Sequence, residues 1–197
     1  MPAPSPRPAQ RIDGRTARSE RTRAAIVEAH VTLLRGGDLR PTADRIAKQA
    51  GVSLRALWSH FADMEALFAA TGQLVLEQRD DTHEPIPADL PLERRIEAYC
   101  HQRARQLEQI APIAKASSLK EPFSHALQSY RRTHIQRVHD ELKTVFAREI
   151  DGDEDLLNAL TAMSMWPTWG TLRDAMGLDL DAARAALAAM ARSLLSR

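Results

Sequence analysis

The chain has 197 residues and a formal net charge of +1, which is enough for one or two modest domains. Its single cysteine, Cys100, excludes an intramolecular disulfide. The sequence shows neither an apolar run as long as a membrane span nor the hydrophobic segment of a signal peptide, so we expect a cytoplasmic protein without a membrane partner.

Charge is divided unevenly along the chain. Residues 1–61 contain 11 Lys and Arg against 5 Asp and Glu, a net of +6, whereas residues 62–197 contain 16 against 21, a net of −5. A basic end beside an acidic body indicates that one part of the chain faces nucleic acid.

The first 17 residues are rich in proline and arginine and poor in apolar side chains, which predicts a disordered basic arm. Such an arm contacts DNA or is a passive solubilising tail, and both readings stay open for Arg7 and Arg11. A first helix is expected from about Ser19 to Arg35, where Gly36 and Gly37 end it.

Residues 42–61 predict two short helices joined by a tight turn. Thr42 and Ser53 are expected to cap the two helices, and Gly51 stands where the first helix ends in left-handed backbone. In the second helix Leu57 and Phe61 point inward, which leaves its polar residues outside. This pattern predicts a helix-turn-helix whose second helix enters the DNA major groove.

The sequence of this stretch and its flanks, about residues 19–72, resembles the tetracycline-repressor (TetR) family of bacterial regulators. The motif is Ile-Ala-x-x-Ala-Gly-Val-Ser at residues 46–53, an aromatic at Trp58, His-Phe at 60–61 and x-Asp-x-Glu-x-Leu at 62–67. The family favours Tyr at Trp58 and Lys at Met64. The resemblance implies an all-α fold with an N-terminal three-helix helix-turn-helix domain and a C-terminal helical domain for ligand sensing and dimerisation.

We therefore expect three parts: the arm at 1–17, a DNA-binding domain at 18–79 that includes a fourth linker helix, and an effector-binding and dimerisation domain at 80–197. The fourth helix should begin at the cap Asp63, and prolines at 85, 87 and 91 mark the boundary loop. Prolines and glycines then predict helices at 92–109, 112–119, 122–149, 154–165, 168–176 and 180–195.

Three sets of candidate site residues follow. Those predicted to contact DNA are Arg18, Arg21, Thr42, Arg45, Ser53, Leu54, Arg55, Ala56, Trp58, Ser59 and His60. The last helix is apolar on nearly all sides, which favours cover by a second copy at Ala183, Ala186, Leu187, Met190 and Leu194; burial in its own domain is the alternative. An effector pocket between helices is expected among Tyr99, Cys100, Arg103, Leu107, Leu127, Tyr130, His134, Met163, Trp166 and Trp169, each of which has a core or interface role as its alternative.

The function predicted is a homodimeric transcriptional regulator, a repressor that a small-molecule effector releases from a palindromic double-stranded DNA operator. The alternatives are a DNA-binding regulator without a ligand pocket and a helical metal-binding protein or enzyme. The sequence lacks a Gly-rich phosphate loop, a Gly-x-Ser-x-Gly elbow and a Cys-x-x-Cys pair, and none of His125, His134 and His139 are four residues apart. We therefore expect no catalytic residues, no cofactor and no metal site.

Overall fold

The computed structural model describes residues 14–81 and 83–196, which form helices, turns and loops without a strand. The predicted all-α fold is confirmed across these residues. In chain order the helices are α1 (Gly14–Arg35), α2 (Ala43–Gln49), α3 (Leu54–His60), α4 (Met64–Asp81), α5 (Leu92–Ser118), α6 (His125–Val145), α7 (Ala147–Ile150), α8 (Glu154–Met163), α9 (Trp166–Gly170) and α10 (Leu180–Leu195). A 3₁₀ turn, Glu121–Phe123, precedes α6, and a π-helical turn, Thr171–Ala175, follows α9.

The helices α1, α2 and α3 form a small head whose local geometry follows the predicted capping pattern. The Thr42 hydroxyl accepts a hydrogen bond from the Arg45 amide at 3.3 Å, and the Ser53 hydroxyl accepts one from the Ala56 amide at 3.1 Å. Gly51 has φ +68°, the left-handed conformation that a helix end requires. The head closes around a buried core from α1 to the start of α4: Ile26, Val27, Ala29, Ile46, Ala47, Leu57, Phe61 and Leu67.

A second buried cluster joins the head to the rest of the chain. We call it the junction cluster; it consists of Val31, Leu34, Phe68, Val75, Ile113, Ala116 and Leu127. Because these residues come from α1, α4, α5 and α6, the head is held by packed side chains as well as by the chain connection.

The body is built on α5, α6, α8 and α10, with α10 packed against α5 and α8. Arg95 of α5 ties the far end of the body together. Its guanidinium donates to both carboxylate oxygens of Glu149 at 2.6 and 2.7 Å and to the Val145 carbonyl at 2.7 Å. This bidentate pair holds the pKa of the Glu149 carboxyl below its usual value.

Several helix boundaries differ from the sequence prediction. Helix α1 begins at Gly14, so residues 14–17 of the predicted arm are helical, while residues 1–13, with Arg7 and Arg11, lie outside the described residues. The two helices predicted at 92–109 and 112–119 are one helix, and the prediction of a break at Pro112 is wrong. Proline removes only one amide donor from the ladder, and the buried neighbours Leu107 and Ile113 hold the helix on both sides of it.

The later body helices also divide differently. The predicted helix 122–149 is a 3₁₀ turn followed by α6 and α7, and the left-handed residues Asp151 (φ 39°) and Gly152 (φ 83°) end this segment. The predicted helix 168–176 starts earlier, at Trp166, with Pro167 in its first turn, where a missing amide donor costs no hydrogen bond. The last helix occupies 180–195 as predicted, capped by Asp179.

Candidate nucleic-acid interface and interhelical pocket

One side of helix α3 packs into the head core, and its other side is exposed to solvent. Leu57 is fully buried in the head core, whereas Leu54 and Trp58 are 40% and 39% exposed and Arg55 and Ser59 are exposed. Helical spacing places Arg55, Trp58 and Ser59 on the side opposite Leu57. Within the part of the chain that the structure describes, no hydrogen bond or ion pair engages the Arg55 guanidinium, so it is available to an external acceptor.

The other residues predicted to contact DNA occupy different surfaces of the head. Ser53 and Thr42 are exposed caps, Arg18 and Arg21 are exposed on α1, and Ala56 and His60 are half-buried on α3. Arg45 is already paired, with its guanidinium 2.6 Å from the Asp38 carboxylate. Arg45 must exchange this partner for a phosphate if it contacts DNA.

Met64, where the family favours lysine, has a packing role. Its side chain is half-buried and touches both the head core and the junction cluster. The thioether therefore fills space between two apolar clusters at a position where a lysine would place its charge at the surface.

A cavity of about 50 Å³ lies between α4, α5, α6 and the start of α9. Its lining is Val75, Ile110, Ile113, Ala114, Ser117, Glu121, Leu127, Tyr130, Arg131, His134, Met165 and Trp166. We call it the interhelical pocket. Its walls are mostly aliphatic and aromatic, and an ion pair between Glu121 and Arg131 stands at its polar edge. At ~10–15 Å³ for each water, this volume holds only a few water molecules.

Four of the ten predicted pocket residues line this cavity: Leu127, Tyr130, His134 and Trp166. Arg103 lies behind His134, with its Nη2 3.2 Å from the imidazole Nε2. A guanidinium can only donate, so Nε2 accepts and the proton of the neutral ring is on Nδ1. The same buried guanidinium donates to the Ser164 carbonyl at 2.6 Å and to the Gln106 amide oxygen at 3.2 Å.

The remaining predicted pocket residues belong to the body core. Tyr99, Leu107, Met163 and Trp169 are buried there. The Tyr99 hydroxyl donates to the Ser164 hydroxyl at 2.7 Å, and burial raises the Tyr99 pKa well above its usual value. The sequence does not separate these residues from the pocket lining, because both sets are apolar or aromatic at helical spacing.

A half-buried carboxylate, that of Glu108, fixes the Trp169 side chain. The indole Nε1 and the Arg173 Nε each donate to a Glu108 oxygen at 2.8 Å. Hydrogen bonding from Arg173 is the largest cause that lowers the Glu108 pKa. Trp169 therefore has a structural partner within its own chain.

Cys100 is buried against the groove between α5 and α10, away from the interhelical pocket. Burial raises the pKa of its thiol to about 12, which keeps the thiol protonated at neutral pH.

Several residues that line the interhelical pocket were not predicted from the sequence. Ile110, Ile113, Ala114 and Ser117 of α5 follow the i, i+3, i+4, i+7 pattern of one helix face. That pattern was visible in the sequence, but it is the same for a core face and for a pocket wall.

The predicted dimer-interface residues of α10 are split between two sides of the helix. Ala183 and Leu187 are fully buried against α5 and α8 of their own chain, while Ala186, Met190 and Leu194 are half-buried at the edges of this contact. The opposite side of α10 exposes Ala182, Ala185, Ala189 and Ser193.

None of the helices in residues 14–81 and 83–196 is both long and apolar enough to cross a membrane. In the same residues, no three His, Cys, Asp or Glu side chains cluster in a way that could hold a metal ion.

Comparison with known proteins agrees with this geometry. Residues 26–71, from the middle of α1 to α4, match the family described as bacterial regulatory proteins, tetR family. An uncharacterized HTH-type transcriptional regulator of Mycobacterium tuberculosis is 37% identical over 78 residues, 39% of this chain; the chain thus spans 40% of the length of this curated relative.

Solved structures extend the likeness to the body. A transcriptional regulator from Rhodococcus sp. Rha1 has 18% identity and a TM-score of 0.69, with 90% of this chain and 96% of that one covered. A candidate TetR-family transcriptional regulator from Mesorhizobium loti has 14% identity and a TM-score of 0.63, with 91% and 97% covered. At these identities the likeness shows a shared fold, and the matched motif within it shows the kind of head. Residues 26–71 therefore carry the head of the tetR family of bacterial regulatory proteins, and the chain as a whole shares the fold of the two solved regulators.

Proposed function

We propose that the chain is a cytoplasmic, homodimeric repressor that binds a palindromic double-stranded DNA operator and is released from it by a small-molecule effector, without enzymatic activity. The observation that carries the DNA-binding part is the outer side of α3, where Arg55 and Trp58 are presented above the buried anchor Leu57. Guanidinium groups at such positions read guanine edges in the major groove.

Of the three parts predicted from the sequence, the two that follow the arm at 1–17 have the main roles. Helices α1 to α4, residues 18–79 of the sequence prediction, bind DNA, and residues 80–197 hold the effector and the second copy. The net charges of +6 for residues 1–61 and −5 for the remainder support this division, because phosphate attracts only the first part.

The proposed seam between two copies is the exposed side of α10. Ala182, Ala185, Ala189 and Ser193 lie on one face, and their small side chains allow a second helix to approach closely. Asn158 and Ala162 are exposed on α8, the helix that packs against α10. We leave Ala183 and Leu187 out of the seam, because their own chain already buries them. For a palindromic operator, a two-fold axis there must place the two α3 helices about one DNA turn apart, ~34–36 Å or a little more.

The interhelical pocket is the proposed effector site, and its lining favours a compact, mainly apolar or aromatic molecule. Its small volume also favours a second candidate, a repressor that senses no ligand. A thermal-shift screen of small aromatic and aliphatic compounds separates the two, since a ligand that binds only the folded protein raises its melting temperature with concentration.

The DNA-binding proposal is tested by selecting duplexes from a random library with the full chain. We expect an enriched palindromic sequence, for which Arg55→Ala weakens affinity by ~1–3 kcal/mol, about 5–150-fold, and relaxes preference at one base pair in each half-site. Arg132→Ala removes an exposed cation from α6 and is the matched control, with unchanged affinity. Enrichment of no sequence, or equal affinity for the two variants, would contradict the proposal.

A further inference from the structure

The backbone of α4 lies directly against an aromatic ring of α6. A Cβ placed on Gly72 would lie 2.8 Å from both Cδ2 and Cε2 of Tyr130 and 3.1 Å from its Cζ. Contacts below 3.0 Å do not occur for a real Cβ, so Gly72 is the residue that lets this ring approach. Glycine within a helix costs ~1 kcal/mol relative to alanine, and here that cost permits a close contact.

The ring of Tyr130 also borders the interhelical pocket, together with Val75 of α4. It therefore touches the pocket and the α4 backbone at once. Since the pocket holds only a few water molecules, a larger occupant must displace part of the wall. Val75, Ile113 and Leu127 are buried in the junction cluster, whereas Tyr130 is half-buried and outside that cluster.

Helix α4 cannot shift without moving the head. Its Leu67 is part of the head core and its Phe68 is part of the junction cluster. The Glu65 carboxylate accepts a hydrogen bond from the Ala126 amide at 3.2 Å, and the Lys120 ammonium lies 4.2 Å from the centroid of the Phe68 ring. These contacts make α4 the element whose position both the pocket and the head share.

We propose that Tyr130 is the positioning residue that transmits occupancy of the interhelical pocket to α4. An occupant presses the Tyr130 ring against the α4 backbone at Gly72. Because glycine has no side chain that could rotate out of the way, α4 itself shifts, and the head shifts with it. This inference rests on the proposed function, and it names the contact through which that function is regulated. An effector acts here only by favouring the shifted arrangement of α4 over the DNA-binding one.

The first test is Gly72→Ala, whose methyl group separates α4 from the ring in the absence of any effector. We expect the affinity for the duplex selected by the wild-type chain to fall at least ~10-fold, a coupling of ~1.4 kcal/mol, with helix content and oligomeric state unchanged. A purely local role for Gly72 predicts the opposite, because alanine favours the helix and would leave DNA binding intact.

The second test fills the pocket from α5. Ala114→Phe places a ring in the pocket as a tethered occupant, and Gln109→Phe adds the same ring at an exposed position of the same helix. We expect Ala114→Phe to weaken DNA binding as Gly72→Ala does, and Gln109→Phe to leave it unchanged.

Removing the Tyr130 ring distinguishes coupling from damage. In a Tyr130→Ala background, Gly72→Ala and Ala114→Phe should each bind DNA as tightly as Tyr130→Ala alone, and Gly72→Ala should now raise the melting temperature. If both changes weaken binding equally with and without the ring, or change affinity in neither background, Tyr130 transmits nothing.

A readout without DNA separates this inference from the proposed function. Spin labels at Gln49→Cys in the head and Thr133→Cys on α6 are both exposed, and Cys100 is buried from the label. We expect Gly72→Ala to shift the measured distance between them, and an unchanged distance overturns the inference. Failure to select any duplex would instead overturn the proposed function, whatever the labels report.

Discussion

At the scale of single residues, His30 of α1 shows how a buried titratable group fixes the position of α4 against α1. It is fully buried, and its Nδ1 lies 2.8 Å from the Thr71 hydroxyl. That hydroxyl donates its only proton to the Leu67 carbonyl at 2.9 Å, so Nδ1 carries the hydrogen and donates. The imidazole meets the Phe68 ring edge to face at 4.4 Å and is neutral. Burial is the main cause that lowers its pKa to about 4, and the charge of Lys120 adds to it.

This pKa predicts a loss of stability in acid that belongs to one residue. Above pH 6.5 both the folded and the unfolded chain carry neutral His30; between pH 6.5 and about 4 only the unfolded chain binds the proton. The free energy of unfolding should therefore decrease as the pH is lowered through this window. We expect the wild-type chain to lose ~2–3 kcal/mol more than His30→Gln between pH 7 and 4.5, measured by urea unfolding. Parallel pH profiles of the two proteins would refute this assignment.

The same scale shows which residue roles a sequence can reveal. The caps Thr42 and Ser53 and the left-handed Gly51 depend on neighbours within four residues, so their roles follow from local sequence. Whether an aromatic residue lines a pocket or fills a core depends on elements far along the chain. Tyr130 and Trp169 are both aromatic residues of the body, but Tyr130 meets a glycine of α4 and Trp169 a carboxylate of α5.

At the scale of elements, α5 and α10 show two different limits of pattern reading. Proline predicted a break in α5, but burial on both sides of Pro112 outweighs the loss of one hydrogen bond. In α10, alanines occupy every side, so the hydrophobic pattern indicates that the helix is covered without indicating which side faces its own core. Only the packing against α5 and α8 reveals that Leu187 faces inward.

Two substitutions two residues apart on α10 therefore have different expected effects. Leu187→Glu buries a carboxylate in the body core, and we expect the body to unfold, with loss of the far-ultraviolet circular dichroism signal. Ala189→Glu places the charge on the exposed side, in the proposed seam, and we expect folded monomers by light scattering. Thr133→Glu, exposed on α6, is the control that should remain a folded dimer. A dimeric Ala189→Glu protein would place the seam elsewhere.

At the scale of the whole molecule, the division of charge along the sequence coincides with the division into head and body. The basic residues 1–61 include the three helices of the head, and the acidic remainder includes the body to which the junction cluster joins the head. Long-range attraction to DNA is therefore expected at the head, which the junction cluster packs against the body. The charge division was visible in the sequence; the junction cluster was not, because it unites residues of α1, α4, α5 and α6 that are up to 96 positions apart.

This arrangement predicts DNA affinity that depends steeply on salt. Each phosphate that the head neutralises releases condensed counterions, so a dimer that engages ~6–10 phosphates should lose ~10³–10⁵-fold in affinity between roughly 50 and 200 mM salt. Arg18 and Arg21 are exposed on α1, and if each contacts one phosphate in both subunits, replacing both by Gln removes four contacts. The logarithmic slope should then fall by ~0.9 for each lost contact, measured by fluorescence anisotropy on the selected duplex and on a scrambled one. The decrease should be the same for the two duplexes, because phosphate contacts carry no base preference.

Arg132→Gln changes the net charge on α6 alone and should leave the slope unchanged. If the substitutions on α1 and on α6 lower the slope equally, net charge governs binding rather than an interface on the head.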